Sequence, residues 1–137
     1  MYRFTLIPHT EEIDEHMEKK INSLRSELYG AVDRSSKFVK AQAQLHLTGE
    51  FLRVRTGRLR GSVGSEAKVQ PGAIFGIIGT NVWYGQLWET GRAINESGQL
   101  VELQERPRRP WLSMAMFRKF QTVKKQLTDA VKKALEK

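Results

Sequence analysis

Hydrophobic positions along the chain fall into three regimes with different periods. From Thr10 the apolar residues Ile13, Met17, Ile21, Leu24, Leu28, Ala31, Phe38 and Leu45 recur at three- and four-residue steps, the spacing of one helix face. Thr10 suits an N-cap, and Glu11, Glu12 and Asp14 place negative charge at the positive end of the helix dipole. The pattern predicts a helix over 10–48 that ends near Gly49, with Gly30 as a weak point in its middle. Such a helix overhangs a domain of this size, which points to a neighbouring surface. Residues 1–9 form an N-terminal arm in which Tyr2, Phe4 and Leu6 alternate as a short strand does.

From Thr56 the period shortens to two. Leu59, Gly61, Val63, Ser65, Ala67 and Val69 fall on one side, with Arg58, Arg60, Ser62, Glu66 and Lys68 on the other. Gln70-Pro71-Gly72 is a turn, and Ala73–Gly79 then reads as a more buried strand, so the segment predicts an antiparallel hairpin. The aromatic run Asn81–Glu89 predicts a short helix, 91–99 a polar loop, and 100–104 one further strand. After Pro107 and Pro110, the residues Trp111, Leu112, Met116, Phe120, Val123, Leu127, Val131 and Leu135 return to helical spacing over 110–136. The order predicts a single α+β domain over 1–137. A small antiparallel sheet of three or four strands packs against a long N-terminal helix and a C-terminal helix, with the hairpin, short helix, long loop and further strand falling in 56–104.

Composition changes this picture little. The chain has 137 residues, 39% of them hydrophobic, with no cysteine, which excludes disulfides and thiolate metal sites. A formal net charge of +8 favours polyanions or an acidic protein as partner. No segment is apolar for long enough to span a membrane, and the N-terminus lacks a secretory signal pattern, so a soluble product is expected.

Candidate chemistry is sparse. His9, His16 and His46 are far apart in sequence, none at the i, i+4 spacing of a zincin pair, and read as exposed histidines. The glycines of Thr56–Gly64 do not match a phosphate loop, and no serine sits in a nucleophile elbow. Glu89, between an aromatic cluster and Gly91, suits a buried hydrogen-bonding anchor, a general acid or an ordinary surface residue; the anchor is preferred, because no second acid or histidine lies nearby to make a catalytic pair. The residues therefore point away from an enzyme and away from any metal or cofactor. Two basic clusters remain: Arg53, Arg55, Arg58 and Arg60, then Arg106, Arg108 and Arg109. Solvated loops, DNA phosphates and an acidic protein partner all suit them. Aromatics do not interleave with the arginines as a stacking platform requires, which favours protein docking.

Three stretches in order carry a resemblance: Thr56-Gly57-Arg58-Leu59-Arg60-Gly61-Ser62-Val63, then Gly79-Thr80-Asn81-Val82-Trp83-Tyr84 with Glu89 and Gly91, then Arg109-Pro110-Trp111-Leu112 with Ala115. Together they resemble the tail-component family of lambdoid and other siphophages, which includes tail-completion proteins of the neck. The likeness covers about residues 10–135. Gly85 stands where that family commonly has alanine, Arg92 where threonine often follows the glycine, and Ser113-Met114 where Arg-Pro is frequent.

The resemblance implies a structural virion protein, assembled in the bacterial cytoplasm. It implies a ring of six like subunits, joining the head connector or stopper to the tail terminator or tail tube. Tail terminator and minor tail protein are neighbouring readings. A basic nucleic-acid-binding module touching phage DNA is a rival of another class, and a small ribonuclease-like toxin is a third. By the same resemblance, Thr56, Gly57, Leu59 and Ser62 set the hairpin entry. Gly79 closes the second strand, Tyr84 and Glu89 tie the short helix to the sheet, and Gly91 reverses the chain. Pro110, Trp111 and Leu112 seat the last helix. Arg92, Arg106, Arg108 and Arg109, in the extended loop and the linker, are the expected contacts with neighbouring subunits.

Overall fold

A computed structural model describes residues 2–6, 15–50, 57–104 and 107–136. Its elements in chain order are β1 (Tyr2–Leu6), α1 (Glu15–Leu45) and a single π-helical turn (His46–Glu50), then α2 (Arg58–Ser62), β2 (Gly64–Gln70) and β3 (Ala73–Gly79). α3 (Trp83–Thr90), β4 (Arg92–Ile94), β5 (Leu100–Glu102) and α4 (Trp111–Glu136) follow. The fold is α+β, with the two long helices against a small antiparallel sheet. The expected cap at Thr10, the arginines at 53 and 55, and the motif residue Thr56 lie outside the described residues.

The sheet has the strand order β1-β3-β2, antiparallel throughout. β3 is central and accordingly the most apolar strand. Its alternate residues Ile74 and Ile78 are buried in the two core clusters formed with the helices. α1 and α4 run antiparallel, as three contacts along their length show: Lys133 with Glu27, Ser35 with Gln126, and His46 with Trp111. Phe4 of β1 and Leu127 of α4 pack against both clusters and so join them.

Close approach of helix to sheet decides which side of α1 is buried. A Cβ on Gly76 would collide with the Phe4 ring and the Ser36 hydroxyl, so the centre of β3 admits only hydrogen there. The facing helix positions are small for the same reason: Ala31, Ser35, Ser36 and Ala43 are all fully buried. Ser35 donates to Gln126, and Ser36 donates back to the Val32 carbonyl, which removes the cost of burying two hydroxyls. The buried side is thus Val32, Ser35, Ser36, Val39, Ala43 and Leu47, while Phe38 and Leu45 are exposed. Phe120 and Leu135, expected inside α4, are exposed too. α4 covers most of α1, and only its first turns, residues 16–20, stand wholly exposed. The helix runs unbroken through Gly30.

Three expected elements differ from what forms. Residues 58–62 are helical, not the opening of a strand: Leu59 and Val63 satisfy a four-residue step as well as a two-residue one, and Gly57 at φ 72° turns the chain into the helix. The expected loop 91–99 contains β4. The last strand, Leu100–Glu102, pairs with β4 in a separate two-stranded ribbon instead of extending the sheet.

Candidate functional site

The three motif stretches meet around the start of α4. Trp111 is 1% exposed, and its Nε1–H donates to the Gly85 carbonyl at 2.9 Å. A Cβ on Gly85 would lie 2.7 Å from Leu59 Cδ1 and 2.8 Å from Thr80 Cγ2, so α2, the chain after β3, and α3 converge on one backbone atom. Leu59 packs on the same core cluster.

A short relay of hydroxyls holds these segments together. Ser62 Oγ donates to the Leu59 carbonyl at 2.6 Å and meets Thr80 Oγ1 at 2.5 Å, and Thr80 Oγ1 accepts from the Val82 N–H at 3.1 Å. With the Ser62 proton committed to Leu59, Thr80 must be the donor to Ser62. Gly79, buried, pairs with Gly64 at the base of the hairpin.

Glu89 sits 8% exposed at the end of α3. Its carboxylate accepts from the N–H groups of Leu112 at 2.8 Å and Ser113 at 2.9 Å, and more distantly from the Tyr2 hydroxyl at 3.4 Å. These are amides of the first turn of α4, which have no partner within their own helix. Trp111 N–H goes to the Arg109 carbonyl, Pro110 has no N–H, and Met114 N–H begins the helical ladder on the Pro110 carbonyl. The whole N-terminus of α4 is therefore satisfied, with a carboxylate at the positive end of its dipole. Glu89 thus ties α3 chiefly to α4, and reaches the sheet only through Tyr2. Tyr84, half-buried, stacks edge-on against Trp83 at 5.6 Å; α3 rests mainly on β4 and α4, with little contact to the sheet.

His46, expected to be exposed, is not. It is fully buried, with Nδ1 2.8 Å from the Trp111 carbonyl. Since a carbonyl only accepts, Nδ1 carries the proton and Nε2 accepts; the Gln42 amide nitrogen lies 2.8 Å and the Arg118 guanidinium 3.2 Å from Nε2. The signal was present, because His46 follows Val39 and Ala43 at helical steps on the core side of α1. Among the described residues, no group of three or more histidines, aspartates or glutamates is placed to hold a metal ion. Every buried side-chain nitrogen and oxygen among them has a partner.

Gly91, at φ 92°, caps α3 by donating to the Leu87 carbonyl, and its own carbonyl accepts from Leu103 N–H. The ribbon leaves the body between those two residues. Asn95 closes its tip: its Oδ1 accepts from Ser97 and Gln99 N–H, and Gly98 at φ 79° completes the turn. Arg92 pairs across the ribbon with Glu102 at 3.9 Å, and Arg58 of α2 pairs with Glu96 at 3.2 Å. Arg108 is exposed and reaches the Glu89 carbonyl at 3.5 Å, and Arg109 is exposed while its N–H donates to the Trp88 carbonyl. Arg106 lies outside the described residues.

Apolar side chains are exposed in two places near this junction. Ile94 and Leu100, opposite each other on the ribbon, are 56% and 57% exposed. Phe117 and Phe120 of α4, 77% and 53% exposed, line a shallow groove with Tyr2, Ser113, Met116 and Gln121. No protein-family model matches the chain, and neither a curated protein nor a solved structure does. No helix among the described residues is long and apolar enough to cross a membrane.

Proposed function

We propose that this chain is a structural subunit of a tailed-phage particle, a tail-completion protein that forms a ring, six-membered as the resemblance implies, between head connector and tail. The observation that carries the reading is the convergence on Trp111. Residues of all three resembling stretches build one interlocked junction around its indole and around Glu89. That junction positions the β4–β5 ribbon and lies beside an aromatic groove.

Protein docking suits the surface better than DNA contact does. Arg58 and Arg92 each face a glutamate, so the exposed arginines near the ribbon do not present unrelieved positive charge. Large exposed apolar side chains mark protein contacts more than phosphate contacts. Particles assembled without this protein should show filled heads and unjoined or unstable tails by electron microscopy. Normally joined particles would refute the proposal.

A further inference from the structure

α4 carries two apolar stripes, and its bulkier side chains are mostly on the outer one. Toward α1 and the sheet it buries Trp111, Leu112 and Val123 with three alanines, Ala115, Ala130 and Ala134. On the other side Phe117, Phe120, Lys124, Thr128, Val131 and Leu135 follow one another at three- and four-residue steps, a second helix face. Phe117 is 77% exposed, Leu135 60% and Phe120 53%, so the chain itself leaves this stripe open. From Phe117 to Leu135 it runs about 27 Å along the helix.

Charge selects the occupant. Lys124 stands within the stripe, and Lys125 and Lys132 border it on one side, all three exposed. None of the three forms an ion pair within the chain. The two acids of α4, Asp129 and Glu136, lie further round the helix, toward Lys133, which reaches Glu27 of α1. Covering the phenylalanines thus brings unanswered cations to the edge of a dry contact, where opposite charge is favoured and like charge is costly.

A second copy does not supply that charge. α1 has six Lys and Arg against four Asp and Glu, and α4 six against two, so either helix laid on the stripe sets cations on cations. The ribbon acids Glu96 and Glu102 already face Arg58 and Arg92. Apolar residues stepped over five turns match a helix face, which a phosphate backbone does not offer.

We infer that the outer stripe of α4 seats an amphipathic helix of a partner protein. That helix is apolar where it covers Phe117, Phe120 and Leu135, and carries carboxylates along the edge that meets Lys124, Lys125 and Lys132. The inference goes beyond the assembly reading and requires no place in a particle, so either can fail alone.

The probe is a fluorescently labelled synthetic peptide with leucines on one helical face and glutamates elsewhere, titrated with the whole chain and followed by anisotropy. Phe117→Ser combined with Phe120→Ser, and separately Lys124→Glu, alter exposed side chains and should leave the circular dichroism of the chain unchanged. The peptide should bind the wild-type chain, and each variant should weaken binding by about ten-fold or more. Peptides with lysine for glutamate, or with alanine for leucine, should lose as much. Absence of binding by the glutamate–leucine peptide overturns the inference, as does binding that the variants leave unchanged. Tighter binding of phosphatidylserine vesicles or of a single-stranded oligonucleotide, lost in the same variants, shows a lipid or a nucleic acid on the stripe instead. Self-association lost in them shows a second copy there. Each of these results overturns it too.

Discussion

The Glu89 carboxylate accepts a 2.8 Å hydrogen bond from the backbone N–H of Leu112, 23 residues away, and thereby caps a helix to which it does not belong. Capping from a distant element makes the start of α4 conditional on α3 being in place. Glu89→Ala is expected to lower unfolding stability by about 1–3 kcal/mol, since two buried amides lose their acceptor. Glu89→Gln should cost less, because the amide oxygen still serves one N–H while its NH2 faces the other. Urea unfolding midpoints of the three proteins give the order; an unchanged midpoint for Glu89→Ala would contradict the capping role.

Two glycines are expected to resist even a methyl group. Gly76→Ala places the methyl against the Phe4 ring and the Ser36 hydroxyl, and Gly85→Ala places it 2.7–2.8 Å from Leu59 and Thr80. Overpacking of this kind costs about 1–3 kcal/mol. Gly76→Ala should be the worse, because Ser36 is fixed on a long helix whereas the Leu59 methyl is the end of a flexible side chain. Thermal melts of the two variants test the ranking.

Trp111 contributes both volume and a hydrogen bond. Trp111→Ala should destabilise by about 3–5 kcal/mol, from the void it leaves in the core. Trp111→Phe keeps much of the apolar area but loses the indole bond to the Gly85 carbonyl, which keeps its place in the α3 ladder, for a loss of about 0.5–1.5 kcal/mol from that bond. If the phenylalanine variant melted like wild type, the bond to Gly85 would have no energetic weight.

The ion pair between Arg58 and Glu96 is exposed on both sides, at 60% and 69% of its side-chain surface. Arg58→Ala is therefore expected to change stability by no more than about 1 kcal/mol, and less still in high salt. Denaturant unfolding at two ionic strengths measures this.

Period and turn chemistry made the two long helices, the hairpin and the α+β class legible in the sequence. The inward side of α1 was harder to read, because large residues dominate a periodicity argument while the sheet's approach at Gly76 demands small ones. Phe38 and Leu45 therefore read as core and lie outside, whereas His46 reads as exposed and lies inside, as do Ser35 and Ser36, which no period singles out. His46 is satisfied there because the Trp111 carbonyl, 65 residues on, accepts from its Nδ1–H and Gln42 and Arg118 lie at its Nε2, and no local pattern announces the Trp111 partner. Glu89 was legible as an anchor by elimination, but its target was not. α2 was misread because Leu59 and Val63 obey two periods at once, and only the left-handed Gly57 chooses between them. β5 falls within the strand expected over 100–104, whereas the three residues of β4 are too few for a period to show and read as loop.

The hydrogen bond from Leu103 N–H to the Gly91 carbonyl brings the two ends of the ribbon together where it joins the body. An excursion that begins and ends at one place can change at its tip, residues 95–99, without disturbing the architecture beneath, while buried Ala93 and the packing of β4 on α3 fix its base. Length and sequence at that tip are therefore free to vary at a pace that the helices and sheet need not follow.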